Sequence, residues 1–315
     1  VQDSPPLQPG GNGGQLPPFQ ILPSARRARV FGVDYAVCPQ ADGGELYIRR
    51  TAWHWFDYLR PERWWDREEL AVRGERLGGS TGTVYRARSS PPDRKPRDLV
   101  IKFSRVAQDV PLFIPDEFLD TLPKEAVATA RFLSPFAEFG MISELRNSSM
   151  NHGPNRLRTK VPLAIYAPPE KYPLWQTGRH TDIFRAHLRA MANDQFENGL
   201  TPVTLDIERD YLGIFEWIGG IDAEEAYQKG YIGEEALRHL THATNLALAR
   251  LGYRVLDNKP RHVIVRPLPD GTLATRHGRI IHALIDFELL QRVEDEEENQ
   301  TATRADLLHR GMTAR

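Results

Sequence analysis

The apolar residues of this chain fall into two kinds of run. Short runs rich in β-branched and aromatic residues predict strands at 99–104 (LVIKFS), 161–166 (VPLAIY) and 211–218 (YLGIFEWI), the last running into Gly219 and Gly220. Two more, VIVRPL at 263–268 and RIIHALIDF at 279–287, flank Pro269, Asp270 and Gly271 and predict a hairpin. A strand, a glycine turn and a second strand are expected over 74–88 (GERLGGSTGTVYRAR), with a polar loop at 89–98. Helical spacing appears at 137–146, where Ile142 and Leu145 share a face with Glu138, and earlier over EAVATARF at 125–132. Another helix is expected over 222–229, capped by Asp222, and a longer one over 233–251, apolar at Leu237, Leu240, Ala243, Ala247 and Leu251.

The N-terminal quarter is read differently. Residues 1–24 are dominated by Pro and Gly and predict a disordered leader. Residues 25–73 form an aromatic-rich extension in which only 45–50 alternates like a strand and 66–72 suggests a helical turn. Its rings, Trp53, Trp55, Phe56, Tyr58, Trp64 and Trp65, are expected to pack this extension onto the rest of the chain rather than to cage a ligand. The acidic run at 294–298 (EDEEE) is expected to be a solvated tail.

Composition narrows the classes. The chain has 315 residues, 40% apolar and 26% charged, with a net charge of −1, and it carries no basic block suited to nucleic acid. No apolar run is long enough to span a membrane. A single cysteine, Cys38, forms no internal disulfide and fits a reducing, cytoplasmic or otherwise intracellular setting. Of the 41 basic residues 7 are lysine, so the positions of Lys102 and Lys259 carry weight.

Candidate chemistry gathers in 254–265 (RVLDNKPRHVIV) and 285–290 (IDFELL). The order Asp257, Lys259, Pro260, strand, turn, strand, Asp286 resembles the protein-kinase-like superfamily, whose catalytic loop reads H-R-D-L-K-P-x-N and whose metal motif reads D-F-G. The I-D-F-E of 285–288 is the form found in its small-molecule branch, the choline and aminoglycoside kinases. Val255 and Leu256 stand where the family has His and Arg, His262 where it has Asn, and Glu288 where it has Gly. The glycine stretch resembles the kinase L-G-x-G-x-x-G-x-V-Y loop, one residue shorter between Gly79 and Gly82, and Lys102 falls on the lysine of V-A-I-K.

The resemblance implies an α+β, two-lobed fold with an antiparallel-sheet small lobe over 74–218, carrying insertions, and a mainly helical large lobe over 219–315. Only 27 residues follow Glu288, so that lobe is expected to be minimal or truncated. It implies ATP held by Gly78, Gly79, Ser80, Thr81, Gly82, Val84 and Lys102, with Glu138 orienting Lys102 and Glu125 as the rival. Backbone of Glu216, Trp217 and Ile218 would meet the adenine edge. Asp257 would act as base, Lys259 would steady the transferring phosphoryl group, and Asp286 with His262 would hold Mg²⁺ or Mn²⁺. The acceptor, protein or small molecule, is not identified by sequence. The competing expectation is a pseudokinase, a nucleotide-binding or scaffold protein without turnover, for which the imidazole of His262 argues because Mg²⁺ prefers oxygen ligands. A metal pair of His239 and His242 is disfavoured for want of a third ligand.

Overall fold

The computed structural model describes residues 16–65, 74–78, 82–111, 124–150, 157–196 and 198–293. The fold is α+β, with a large antiparallel sheet and several helices. The chain divides into two compact units, one drawn from 1–111, 131–144 and 159–219, the other from 112–130, 145–158 and 220–315. In chain order the helices are α1 (Phe56–Leu59), α2 (Lys124–Ala128), α3 (Pro135–Met150), α4 (Leu174–Thr177), α5 (Thr181–Asp194), α6 (Ala223–Gln228) and α7 (Glu234–Ala249). None among the described residues is long and apolar enough to cross a membrane.

The first unit holds an eight-stranded sheet. Its strands are β1 (Arg27–Val30), β2 (Val33–Pro39), β3 (Glu45–Arg49), β4 (Glu75–Arg76), β5 (Val84–Ser89), β6 (Arg97–Phe103), β7 (Pro162–Ala167) and β8 (Leu212–Glu216), in the spatial order β1-β2-β3-β7-β8-β6-β5-β4. Both faces are covered. Ala36, Cys38, Leu46 and Ile48 join Trp53, Trp55, Phe56, Tyr58 and Trp64 in one core cluster. Tyr35 and Tyr47, at the alternate positions, meet the ring of Phe136 on α3 edge-on at 5.4 and 5.2 Å, and Phe139 packs on Phe215 at 5.2 Å. The polar ends of the buried rings are used as well. Trp53 Nε1 donates to Pro17 O, Trp64 Nε1 to Leu59 O and Tyr58 Oη to Lys95 O. Gly140 lets α3 approach the chain closely, because a Cβ there would lie 2.7 Å from Cβ of Phe31.

Two sequence expectations need correction in this unit. The stretch before residue 45 was expected to be irregular, yet it supplies β1 and β2. Residues 33–38 are buried on both faces apart from Asp34, so they form a continuous apolar run without period-two alternation. Residues 16–24, expected within a disordered leader, are packed: Phe19 and Leu22 belong to the core cluster. Pro and Gly dominate the leader's composition and hide those two apolar anchors. The leader residues 1–15, the helical turn over 66–72 and the acidic run over 294–298 lie outside the described residues.

The second unit carries α2, α6, α7 and several short ladders. β9 (Ile221–Asp222), β11 (Val263–Val265) and β14 (His282–Leu284) form one, β10 (Tyr253–Val255) and β15 (Leu290–Arg292) another. Asp222 caps α6 as expected, its Oδ1 accepting from Glu225 N at 2.8 Å. The expected pairing of β11 with β14 is present, but Pro269, Asp270 and Gly271 do not join the two directly. After that turn a second hairpin intervenes, β12 (Thr275–Arg276) with β13 (Arg279–Ile280), turning at His277 and Gly278, both at positive φ. The buried side of α7 holds Leu240, Thr241, Thr244 and Leu248, so two threonines occupy the face where the apolar pattern alone places alanines.

Candidate functional site

In the second unit the loop 256–262 is tied down along its length. It leaves β10 and enters β11, while 285–289 leaves β14 and enters β15, so the two loops run antiparallel between paired strands. Leu256 N donates to Leu289 O and Ile285 N to His262 O, at 3.3 and 3.0 Å, pinning the two loops together at both ends. Within this frame Lys259 Nζ lies 2.8 Å from Asp257 Oδ1 and 2.9 Å from Oδ2, a bidentate ion pair with Asp257 largely enclosed. His262 Nε2 lies 3.5 Å from Asp286 Oδ2. The four side chains chosen from sequence for phosphoryl transfer and metal binding thus come together as two pairs on adjoining loops.

Sequence reasoning passed over Asn258. Its Nδ2 donates to Thr244 Oγ1 at 2.8 Å and to Asn245 Oδ1 at 2.7 Å, anchoring the loop to α7 between Asp257 and Lys259. The signal available was an amide flanked by two charged candidates. Arg261 forks onto Glu224 of α6, a second anchor.

The first unit holds the other candidates. Lys102 sits on β6 opposite Val84 of β5 and Gly213 of β8, and its residue is 8% exposed. A lysine in an apolar strand would ordinarily reach solvent, and this one does not. Gly78 and Gly82 flank the glycine turn, which Leu77 N closes by donating to Val84 O; Gly79, Ser80 and Thr81 lie outside the described residues. Glu216 closes β8 with its N–H donated to Val161 O, so of the three candidate adenine-facing residues its amide is already used. Trp217 follows, its ring covered by the Arg86 guanidinium at 4.5 Å.

Glu138, expected to orient Lys102, also has a partner that the sequence reading missed: it binds Lys160 Nζ at 2.6 Å, and both side chains are buried. Lys160 also lies 3.9 Å from the centre of the Phe215 ring. A lysine enclosed there needs an opposite charge, and α3 presents Glu138 to it. The sequence hid this because Lys160 directly precedes the strand VPLAIY and reads as a solvated flank. Glu125, the rival, lies on α2 in the other unit.

His262 and Asp286 present one imidazole nitrogen and one carboxylate oxygen side by side. Donors 3.5 Å apart suit one ion with bonds of about 2.1 Å to each. Among the described residues no group of three or more His, Cys, Asp or Glu could hold a metal. These two donors would leave the remaining positions of such an ion to groups such as phosphate and water. Nearby, burial and the Arg158 charge hold His282 below the usual imidazole pKa, despite the hydrogen-bond contact of its Nδ1 with Ile280 O.

No protein-family model matches the chain, and no curated protein matches it. Among solved structures it is similar to Rad53 residues 1–466 crystallised with AMP-PNP, at 11% identity and a TM-score of 0.27, over 81% of this chain and 60% of that one. The chain therefore spans about 60% of that structure's length.

Proposed function

We propose that this protein is an ATP-dependent phosphotransferase of the protein-kinase-like type, acting on a hydroxyl acceptor. The observation that carries the reading is the paired loops of the second unit: an acid bound by the lysine two residues on, followed by a donor at 262 beside the acid at 286. In this reading the acceptor oxygen attacks the γ-phosphorus of ATP, its proton passes to Asp257, and ADP leaves. Lys259 holds Asp257 in place and offers its ammonium to the charge that builds on the transferring group. Asp286 and His262 would hold Mg²⁺ or Mn²⁺, which neutralises charge on the phosphates when bound. Buried Lys102 and the glycine turn would hold phosphate in the first unit, and the backbone of Trp217 and Ile218 would meet the adenine edge.

Nucleotide binding without turnover is the second reading, and the imidazole of His262 at the position where Mg²⁺ prefers an oxygen ligand is its argument. Incubation with γ-labelled ATP and Mg²⁺ or Mn²⁺, with casein and pooled small alcohols as acceptors, separates the two. Label on any acceptor or on the protein, reduced by Lys102→Ala, is the expected result. ATP-dependent thermal stabilisation without label transfer would establish the second reading, and absence of both effects would refute either.

A further inference from the structure

Two arginines of the first unit approach one carboxylate, with a third on the same strand as one of them, and their geometry is not that of a closed ion-pair network. Asp34 of β2 lies opposite Arg29 of β1 in the sheet register, with the Arg29 guanidinium 3.8 Å away. Arg50, just past β3, reaches the other oxygen of Asp34 at 3.7 Å. Both separations exceed hydrogen-bond length. Arg27, one turn of the pleat from Arg29, points to neither, and its Nε is enclosed without a hydrogen-bond partner. Arg27, Arg50 and Asp34 line a single cavity of about 120 Å³, walled otherwise by Phe19, Gln20, Ala28 and Leu200.

We propose that this cavity is an oxyanion site for a phosphate group, free or as a phosphomonoester. Two guanidiniums face the space, and Arg29, outside it, offsets the charge of Asp34, so the cavity retains an excess of positive charge. An oxyanion offers paired oxygens that match the forked geometry of an arginine guanidinium. The volume suits one phosphate group. Phe19 and Gln20 bring the packed end of the leader into the wall, so occupancy would clamp residues 16–24 to the sheet. This site is independent of the nucleotide reading, which rests on other residues.

The test is thermal unfolding and calorimetric titration of the full chain with inorganic phosphate and, separately, with N-acetyl-O-phosphoserine amide, acetate serving as the control anion. Saturable stabilisation by either phosphate species, weakened roughly tenfold or more by Arg27→Ala or Arg50→Ala and retained in Lys102→Ala, supports the site. The more potent of the two identifies its source. Asp34→Asn gives the opposing sign: an anion site binds phosphate more tightly once that carboxylate is neutral, whereas arginines serving only as ion-pair partners would yield a less stable protein indifferent to phosphate. Lack of phosphate stabilisation in both wild type and Asp34→Asn, a response equal to that of acetate, or loss of the response in Lys102→Ala would overturn the proposal.

Discussion

Lys160 illustrates how one buried charge sets a local structure. Its ammonium lies over the Phe215 ring with Glu138 as its ionic partner, and removing that partner alone leaves the charge enclosed. Glu138→Gln should therefore destabilise the protein by about 3–5 kcal/mol, while Glu138→Gln combined with Lys160→Met should recover much of the loss. Denaturant unfolding of both variants checks this, and equal losses would mean the pair is not coupled. His262 makes the second prediction at this scale. An imidazole beside one carboxylate suits Mn²⁺ better than an all-oxygen set does, so transfer, or nucleotide binding if there is no turnover, should favour Mn²⁺ over Mg²⁺. His262→Asn should move the preference toward Mg²⁺. An unchanged ion preference would reduce His262 to a loop anchor.

Among the elements, the best-read were those whose local signals agree. Asp222 reads as a cap from sequence and is one in the structure, so Asp222→Ala should cost about 1 kcal/mol in denaturant unfolding without altering transfer. The strands around Lys102, the run VPLAIY and the pairing of the last two apolar runs were also legible, each being bounded by turn residues. What escaped had contrary or weak local signals. β1 is half arginine, β2 lacks alternation, and α5, half of whose residues are polar, was not anticipated at all. The loop pairs Asp257–Lys259 and His262–Asp286 followed from motif order, whereas the choice of Lys160 by Glu138 is a tertiary outcome that no spacing reveals.

The strand β14 adds a pH dependence. Burial lowers the folded-state pKa of His282 below its unfolded value, so between the two the unfolded chain binds the extra proton. Its contribution to stability is present above pH of about 6.5 and is lost as pH falls below it. His187 on α5, held down by burial and by Arg131, acts with the same sign. Thermal unfolding should show Tm falling with acid below that pH, and His282→Gln should make the fall shallower. A slope unchanged by the substitution would remove His282 from the effect.

At the scale of the whole molecule, the candidate chemistry is divided between the two units. Buried Lys102 and the glycine turn belong to the eight-stranded sheet, while Asp257, Lys259, His262 and Asp286 belong to the paired loops of the other unit. A phosphotransferase needs both sets, one to hold the nucleotide and one to move the proton. A substitution at Asp257, which in this reading touches the acceptor and not the nucleotide or its metal, should therefore spare nucleotide binding. Asp257→Asn keeps the shape of the side chain and removes its capacity to accept a proton. The most direct test measures γ-phosphoryl transfer and ATP-dependent thermal stabilisation side by side for wild type and Asp257→Asn. The account predicts that transfer falls at least a hundredfold while the ATP-dependent shift in Tm is retained. Transfer that persists unchanged in Asp257→Asn would contradict it.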